Sequence, residues 1–348
     1  VTGIRSGEVA LFFRRLHTML HSGISLPDSL SYLEKGEANP AFRKVLGSCL
    51  DILLKGHPLS LGMKKHSEVF SVLSIEMVTN GENTGHLSNT LGQLAMLQER
   101  SLDRVQRIKG ALAYPTCLLL VMLVVVGLFV TFVAPGDEGL FSTLGDDVPW
   151  PSQVLMSLSA FVTNPALMLG SGALVTGLVL LFRRAYHESA EFRLRVDEQC
   201  LALPVVGPLL ARLDAARTLD VLATSLEVGL SIVQAMKNSI RVVANERFRQ
   251  DLLEANQAII AGDGLGVALA RNTRIPRFAT SMIEVGEESG KLDHILKRSS
   301  LILDEDVNDA LARLVLLAEP LLLSLGGLAA GFVAVATFLP IMKLISNL

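Results

Sequence analysis

The sequence predicts an all-α membrane protein, with two homologous cytoplasmic helical-bundle domains made by tandem duplication and three transmembrane helices. Three observations lead there. The chain repeats itself: Leu20-His21-Ser22-Gly23-Ile24-Ser25 matches Leu226-Glu227-Val228-Gly229-Leu230-Ser231, and Gly81-Glu82-Asn83-Thr84-Gly85-His86-Leu87 matches Gly286-Glu287-Glu288-Ser289-Gly290-Lys291-Leu292. The offset is 206 through Gly56/Gly262 and 205 afterwards, so the copies differ by one net residue. A repeat this long is a duplicated domain and not a solenoid unit. Charge also vanishes from Gly110–Gly136, Val148–Phe182 and Pro320–Met342. Each window supplies roughly the 20 apolar residues that a bilayer core requires. Finally, no apolar/polar alternation marks a strand, while apolar residues recur at helical spacing.

The elements follow in order. Val1–Gly7 has no apolar run, so no signal peptide is expected there. Ser6 is the expected N-cap of a helix that places Val9, Phe12, Phe13, Leu16 and Leu20 on one face. Gly23 ends it, and Pro27 suits the first turn of the next helix. Asn39-Pro40 is a cap followed by proline, opening a helix to about Lys55 that Gly56-His57-Pro58 breaks. Gly81 and Gly85 interrupt the chain before a long helix that starts near Leu87 and runs toward the membrane. The second copy repeats this punctuation with Gly229, Asn245, Gly262, Gly286 and Gly290. Pro115 stands at the mouth of the first span and Pro320 at the mouth of the last; Pro135 and Pro340 close them.

The resulting division is a first bundle at 1–109, spans at 112–134, 165–182 and 317–342, an acidic loop at 135–164, and a second bundle at 183–315. Arg100, Arg104, Arg107 and Lys109 precede the first span, and Arg183 and Arg184 follow the second. Between them lie no cations, while Asp137, Glu138, Asp146 and Asp147 crowd the loop. The positive-inside bias therefore puts both bundles in the cytoplasm and the loop outside. One span, duplicated, would leave the second bundle on the wrong side; the middle helix restores it and has no repeat partner.

Composition narrows the function. A net charge of −3 gives no sign of a nucleic-acid partner. Cys49, Cys117 and Cys200 have no motif spacing, which fits a reducing side and no disulfide framework. His17 and His21 stand four apart, but no third ligand completes a metal site. The Gly286–Leu292 motif imitates a phosphate loop, yet it is one residue short and lacks Ser or Thr after Lys291. No Gly-x-Ser-x-Gly elbow is present. No catalytic, cofactor or metal residues are assigned. What remains is the doubled Gly-Glu-x-Thr/Ser-Gly-x-Leu motif. Its glycines suit a helix-to-helix turn, with Thr84 or Ser289 capping the next helix, while Glu82 and Glu287 either cap amides or meet a partner or a divalent ion. A secondary transporter is the alternative class, although it should show broken helices and polar groups at mid-membrane.

The duplicated Leu-x-x-Gly-(Ile/Leu)-Ser, the duplicated Gly-Glu-x-(Thr/Ser)-Gly-x-Leu and the proline-bounded spans resemble the inner-membrane platform family of type II secretion and type IV pilus machines, over Phe12 to Leu344. That resemblance implies two cytoplasmic six-helix domains, three transmembrane helices and no enzymatic activity. It implies coupling of a cytoplasmic hexameric assembly ATPase to pilin or pseudopilin subunits, contact with inner-membrane scaffold proteins, and a homo-oligomer in the bacterial inner membrane. Many members begin with a longer N-terminal extension, so an ATPase contact made there is not placed on these residues.

Overall fold

The computed structural model describes residues 3–132, 149–204 and 206–346. Among them stand fifteen helices and no strand. They pack as two units, Val1–Arg107 with Leu194–Asp309, and Ile108–Arg193 with Ala310–Leu348.

The first unit contains both bundles. The first bundle is built from α1 (Ser6–His21), α2 (Leu26–Gly36), α3 (Pro40–Leu54), α4 (Leu59–Lys65), α5 (Val72–Thr84) and the start of α6 (Leu87–Phe132). Local chemistry sets their ends. The cap of α1 falls one residue earlier than expected, at Arg5, whose amide donates to the Glu8 carboxylate at 3.0 Å. Ser25 caps α2 by accepting from the Asp28 amide, and Asn39 caps α3 by accepting from Ala41. Each cap satisfies a donor that the first helical turn leaves free. Phe12, Phe13, Phe42 and Phe70 form the aromatic centre of the core, with ring centroids 5.1 to 6.4 Å apart.

The second bundle repeats this plan with α10 (Val206–Glu227), α11 (Ile232–Val242), α12 (Glu246–Ile260), α13 (Leu265–Asn272), α14 (Arg277–Glu288) and the start of α15 (Leu292–Ser346). Ser231 and Asn245 are its equivalent caps. Among the described residues, its core holds one large aromatic, Phe248, together with small Ala215, Ala216, Ala235 and Ala279. Val221, Val228 and Val242 of this bundle pack into the core of the first.

The second unit holds the rest of α6 and α15 together with α7 (Trp150–Thr163) and α8 (Pro165–Glu188); α9 (Ala190–Ala202) follows them in the chain. Among the described residues, three helices, α6, α8 and α15, are each long and apolar enough to cross a membrane. Pro115 and Pro320 stand inside α6 and α15, so they mark where apolar sequence begins and not where a helix starts. Residues 149–163, expected in the acidic loop, include the uncharged helix α7. Pro135 and the loop carboxylates at 137, 138, 146 and 147 lie outside the described residues.

Candidate functional site

The doubled motif folds the same way in both copies. Glu82 leaves the last turn of α5 and accepts from the amides of Leu59 and Ser60 at the start of α4. Glu287 leaves α14 and accepts from Leu265 at 3.0 Å and Gly266 at 3.4 Å at the start of α13. Pro58 and Gly264, the residues before those helices, offer no side-chain cap. The motif glutamates supply it from about 22 positions away in sequence, where a carboxylate also meets the positive end of the helix dipole.

The glycines divide into two kinds. Gly23, Gly85, Gly229 and Gly290 have φ of 84, 75, 83 and 69°, the left-handed region that ends a helix at little steric cost only for glycine. Gly81 and Gly286 instead lie inside α5 and α14 and are buried. A Cβ at Gly81 would stand 2.6 Å from Thr90 Oγ1, and one at Gly286 would stand 2.9 Å from Ile295 Cβ. Those two permit α5 and α14 to press against the long helices α6 and α15. The expected capping hydroxyls turn back as well: Thr84 donates to the Asn80 carbonyl at 2.8 Å, and Ser289 to Gly286 at 3.4 Å.

His17 Nδ1 donates to the Ser88 carbonyl at 2.7 Å, so this ring ties α1 to α6. His21 lies beside it, with centroids 5.6 Å apart. Burial pushes the Cys49 thiol up to about 12, which leaves it protonated and inert.

The densest polar feature was not singled out from sequence. Asp220 on α10 is fully buried and accepts from three cations: Arg100 at 2.9 Å, Arg104 at 3.1 Å and Lys297 at 2.9 Å. Arg104 also donates to Asp304 on α15 at 2.9 Å. Burial alone would raise the Asp220 carboxyl, but Lys297, Arg104 and Arg100 outweigh it and hold the group below its ordinary range. The signal for this cluster lay in the repeat alignment. At the offsets of 206 and 205, Asp220 corresponds to Arg14 and Asp304 to Glu99. In the first copy these two pair with each other at 3.2 Å on the surface, with Arg14 66% exposed. In the second copy both are acids, and the cations come from both copies: Lys297 from the second, Arg100 and Arg104 from the first. Size is exchanged too. Gly92 leaves room for the His17 ring, whereas the repeat counterparts of these two residues are Lys297 and Ala223.

Within the membrane unit, the repeat-equivalent residues Tyr114 and Glu319 meet each other, the phenol donating to the carboxylate at 3.2 Å. Further along, Pro340 has no N–H to give the Ala336 carbonyl four residues back. The Ser152 hydroxyl of α7 donates to that oxygen at 2.6 Å. Where α6 carries Val121, Val125 and Phe129, α15 carries Gly326, Ala330 and Ala334 at the equivalent positions, and an apolar cleft of about 370 Å³ lies between them.

These features define a class of protein: an internally duplicated helical scaffold set in a membrane, whose polar groups hold helices to one another. Comparison with known families identifies it further. The family model described as "Type II secretion system (T2SS), protein F" matches twice, over residues 12–135 and 218–340. The chain belongs to this family of platform proteins. It is 28% identical to the type IV pilus assembly protein TapC of Aeromonas hydrophila over 341 residues, 98% of this chain and 82% of that protein. It is 28% identical to the type IV pilus assembly protein PilC of Pseudomonas aeruginosa, over 98% of this chain and 91% of that one. Against the type II secretion system protein F of Xanthomonas campestris the identity is 30%, over 96% of this chain and 82% of the other.

Proposed function

We propose that this chain is an inner-membrane platform that couples a cytoplasmic hexameric assembly ATPase to the incorporation of pilin or pseudopilin subunits. Both bundles stand on the cytoplasmic side, and the acidic loop faces outward. The observation that carries the reading is mechanical. Helices α6 and α15 each run unbroken from a bundle into an apolar span, and Arg104 ties them together through Asp304. A turn or push applied to the bundles is then passed along stiff helices. The bundles act as one body because Val221, Val228 and Val242 and the Asp220 cluster join them. Glu82 and Glu287, read from sequence as candidate partner contacts, serve this body by holding the starts of α4 and α13. Further partners are the machine's inner-membrane scaffold proteins and other copies of this chain.

Two measurements test this. In a strain lacking the chain, the wild-type copy should restore pili or secretion, and photo-crosslinkers on the exposed faces of the first bundle should capture the ATPase. Absence of any ATPase adduct from every exposed face would remove the coupling role. Cysteines at Lys64 and Glu254, both exposed, should resist an impermeant thiol reagent in intact cells; labelling of Glu254→Cys from outside would overturn the sidedness.

A further inference from the structure

Helix α7 carries two opposite faces and no charge. Pro151, Ser152, Leu155 and Ser159 are buried. Leu155 packs with Val130 of α6 and with Val333 and Ala336 of α15, and Val126 and Val162 adjoin that cluster. These partners lie inside the apolar stretches of α6 and α15, Val126 and Val130 in the last two turns of α6 and Val333 and Ala336 before Pro340 of α15. The other face presents Trp150, Val154, Leu158 and Phe161, each at least 42% exposed and spaced as one helical stripe. In water such a stripe would be unfavourable. The apolar segments of α6, α8 and α15, in the same unit, expose Leu, Val and Phe as well.

We infer that α7 is a membrane-embedded half-span whose Trp150–Val154–Leu158–Phe161 face is covered by lipid acyl chains. Residues 149–163 then belong to the bilayer and not to the aqueous loop. At 14 residues the helix is too short to cross a bilayer. It can enter one because its inner face is seated on two full spans. Helical hydrogen bonds satisfy the middle of its backbone, and its Ser152 hydroxyl closes the carbonyl that Pro340 leaves open, as a membrane interior demands. Trp150 at its N-terminus suits the boundary between headgroups and hydrocarbon. The inference rests on the membrane location of the spans and holds whichever partners the platform engages.

Trp150 is the chain's single tryptophan, so the unmodified protein carries its own probe. The full chain would be reconstituted in phosphatidylethanolamine/phosphatidylglycerol vesicles with or without acyl-brominated lipid. Tryptophan emission should be blue-shifted, should fall strongly with brominated lipid, and should barely respond to aqueous iodide. The variant Trp150→Phe with Leu158→Trp should behave the same way, which places the helix and not only its first residue. Quenching by iodide in place of bromine would put α7 in water and overturn the proposal. Protection from both quenchers would mean that protein covers the face, and would overturn it equally.

Discussion

Arg104 and Asp220 lie 116 residues apart in the chain and 3.1 Å apart in the fold, one from each copy of the repeat. Asp220 and Asp304, both bound by Arg104, stand where the first copy has a self-sufficient surface pair, Arg14–Glu99. With acids at both positions, the second copy adds its own Lys297 to Asp220 and takes Arg100 and Arg104 from the first copy. Charge divergence after duplication thus joins the bundles with a directional contact, alongside the apolar contacts of Val221, Val228 and Val242.

Arg104→Ala should destabilise the detergent-solubilised chain by roughly 3 kcal/mol, because removing one member of a buried ion cluster leaves charge uncompensated. Arg14→Ala, at the exposed counterpart, should change stability by less than about 1 kcal/mol. Chemical denaturation of both variants measures the contrast, and equal effects would deny the cluster its joining role.

The same cluster sets a pH dependence. The native Asp220 carboxyl titrates below its unfolded value, so the folded state binds this proton less readily than the unfolded chain. Its stabilising contribution is present above the unfolded value of about 3.9 and is lost as pH falls through the lower native value. Asp214 and Asp251 are shifted upward, chiefly by burial, and work in the opposite sense. The stability difference between wild type and Asp220→Asn should therefore be largest near neutral pH and shrink in acid. Denaturation midpoints across that range would show it; a difference that grows in acid would reverse the sign.

Glu82→Gln keeps an acceptor for the Leu59 or Ser60 amide and should cost under about 1 kcal/mol, whereas Glu82→Ala should cost about 1–2 kcal/mol. Glu287 should follow the same order. If Glu82→Gln melts normally and still abolishes assembly, the charge meets a partner and capping is not its main use.

Gly85→Ala and Gly290→Ala should each destabilise by roughly 1 kcal/mol or more, through backbone strain at positive φ. Gly81→Ala fails for another reason, collision with Thr90. Its loss should be partly recovered by Thr90→Ala, which removes the colliding Oγ1, whereas no smaller neighbour could do this for Gly85. Thermal melts of the single and double variants separate the two causes.

Ser152→Ala should cost about 1 kcal/mol by leaving the Ala336 carbonyl without a donor in an apolar setting. Pro340→Ala restores the helical N–H, so the Ser152→Ala loss should shrink in that background. Additive effects in the double-mutant cycle would show that the hydroxyl and the proline are independent.

Much of this molecule is local and therefore legible in one dimension. Caps at Asn39 and Asn245, left-handed glycines at Gly23, Gly85, Gly229 and Gly290, and apolar runs of bilayer length act within a few residues of themselves. The duplication is visible because those short-range signals recur in order. What required the folded chain is everything that acts at a distance. The Gly-Glu motif reads as a turn, but its glutamate reaches back to cap another helix, and its first glycine serves a close approach to Thr90 or Ile295. Periodicity assigns a residue to a helix face without saying what that face meets. Asp220 and Arg104 thus look like ordinary solvated charges until packing removes water and leaves each as the other's partner. Pro340 reads as the end of a span for the same reason. Only the arrival of Ser152 from a separate helix satisfies its open carbonyl and lets α15 continue through it.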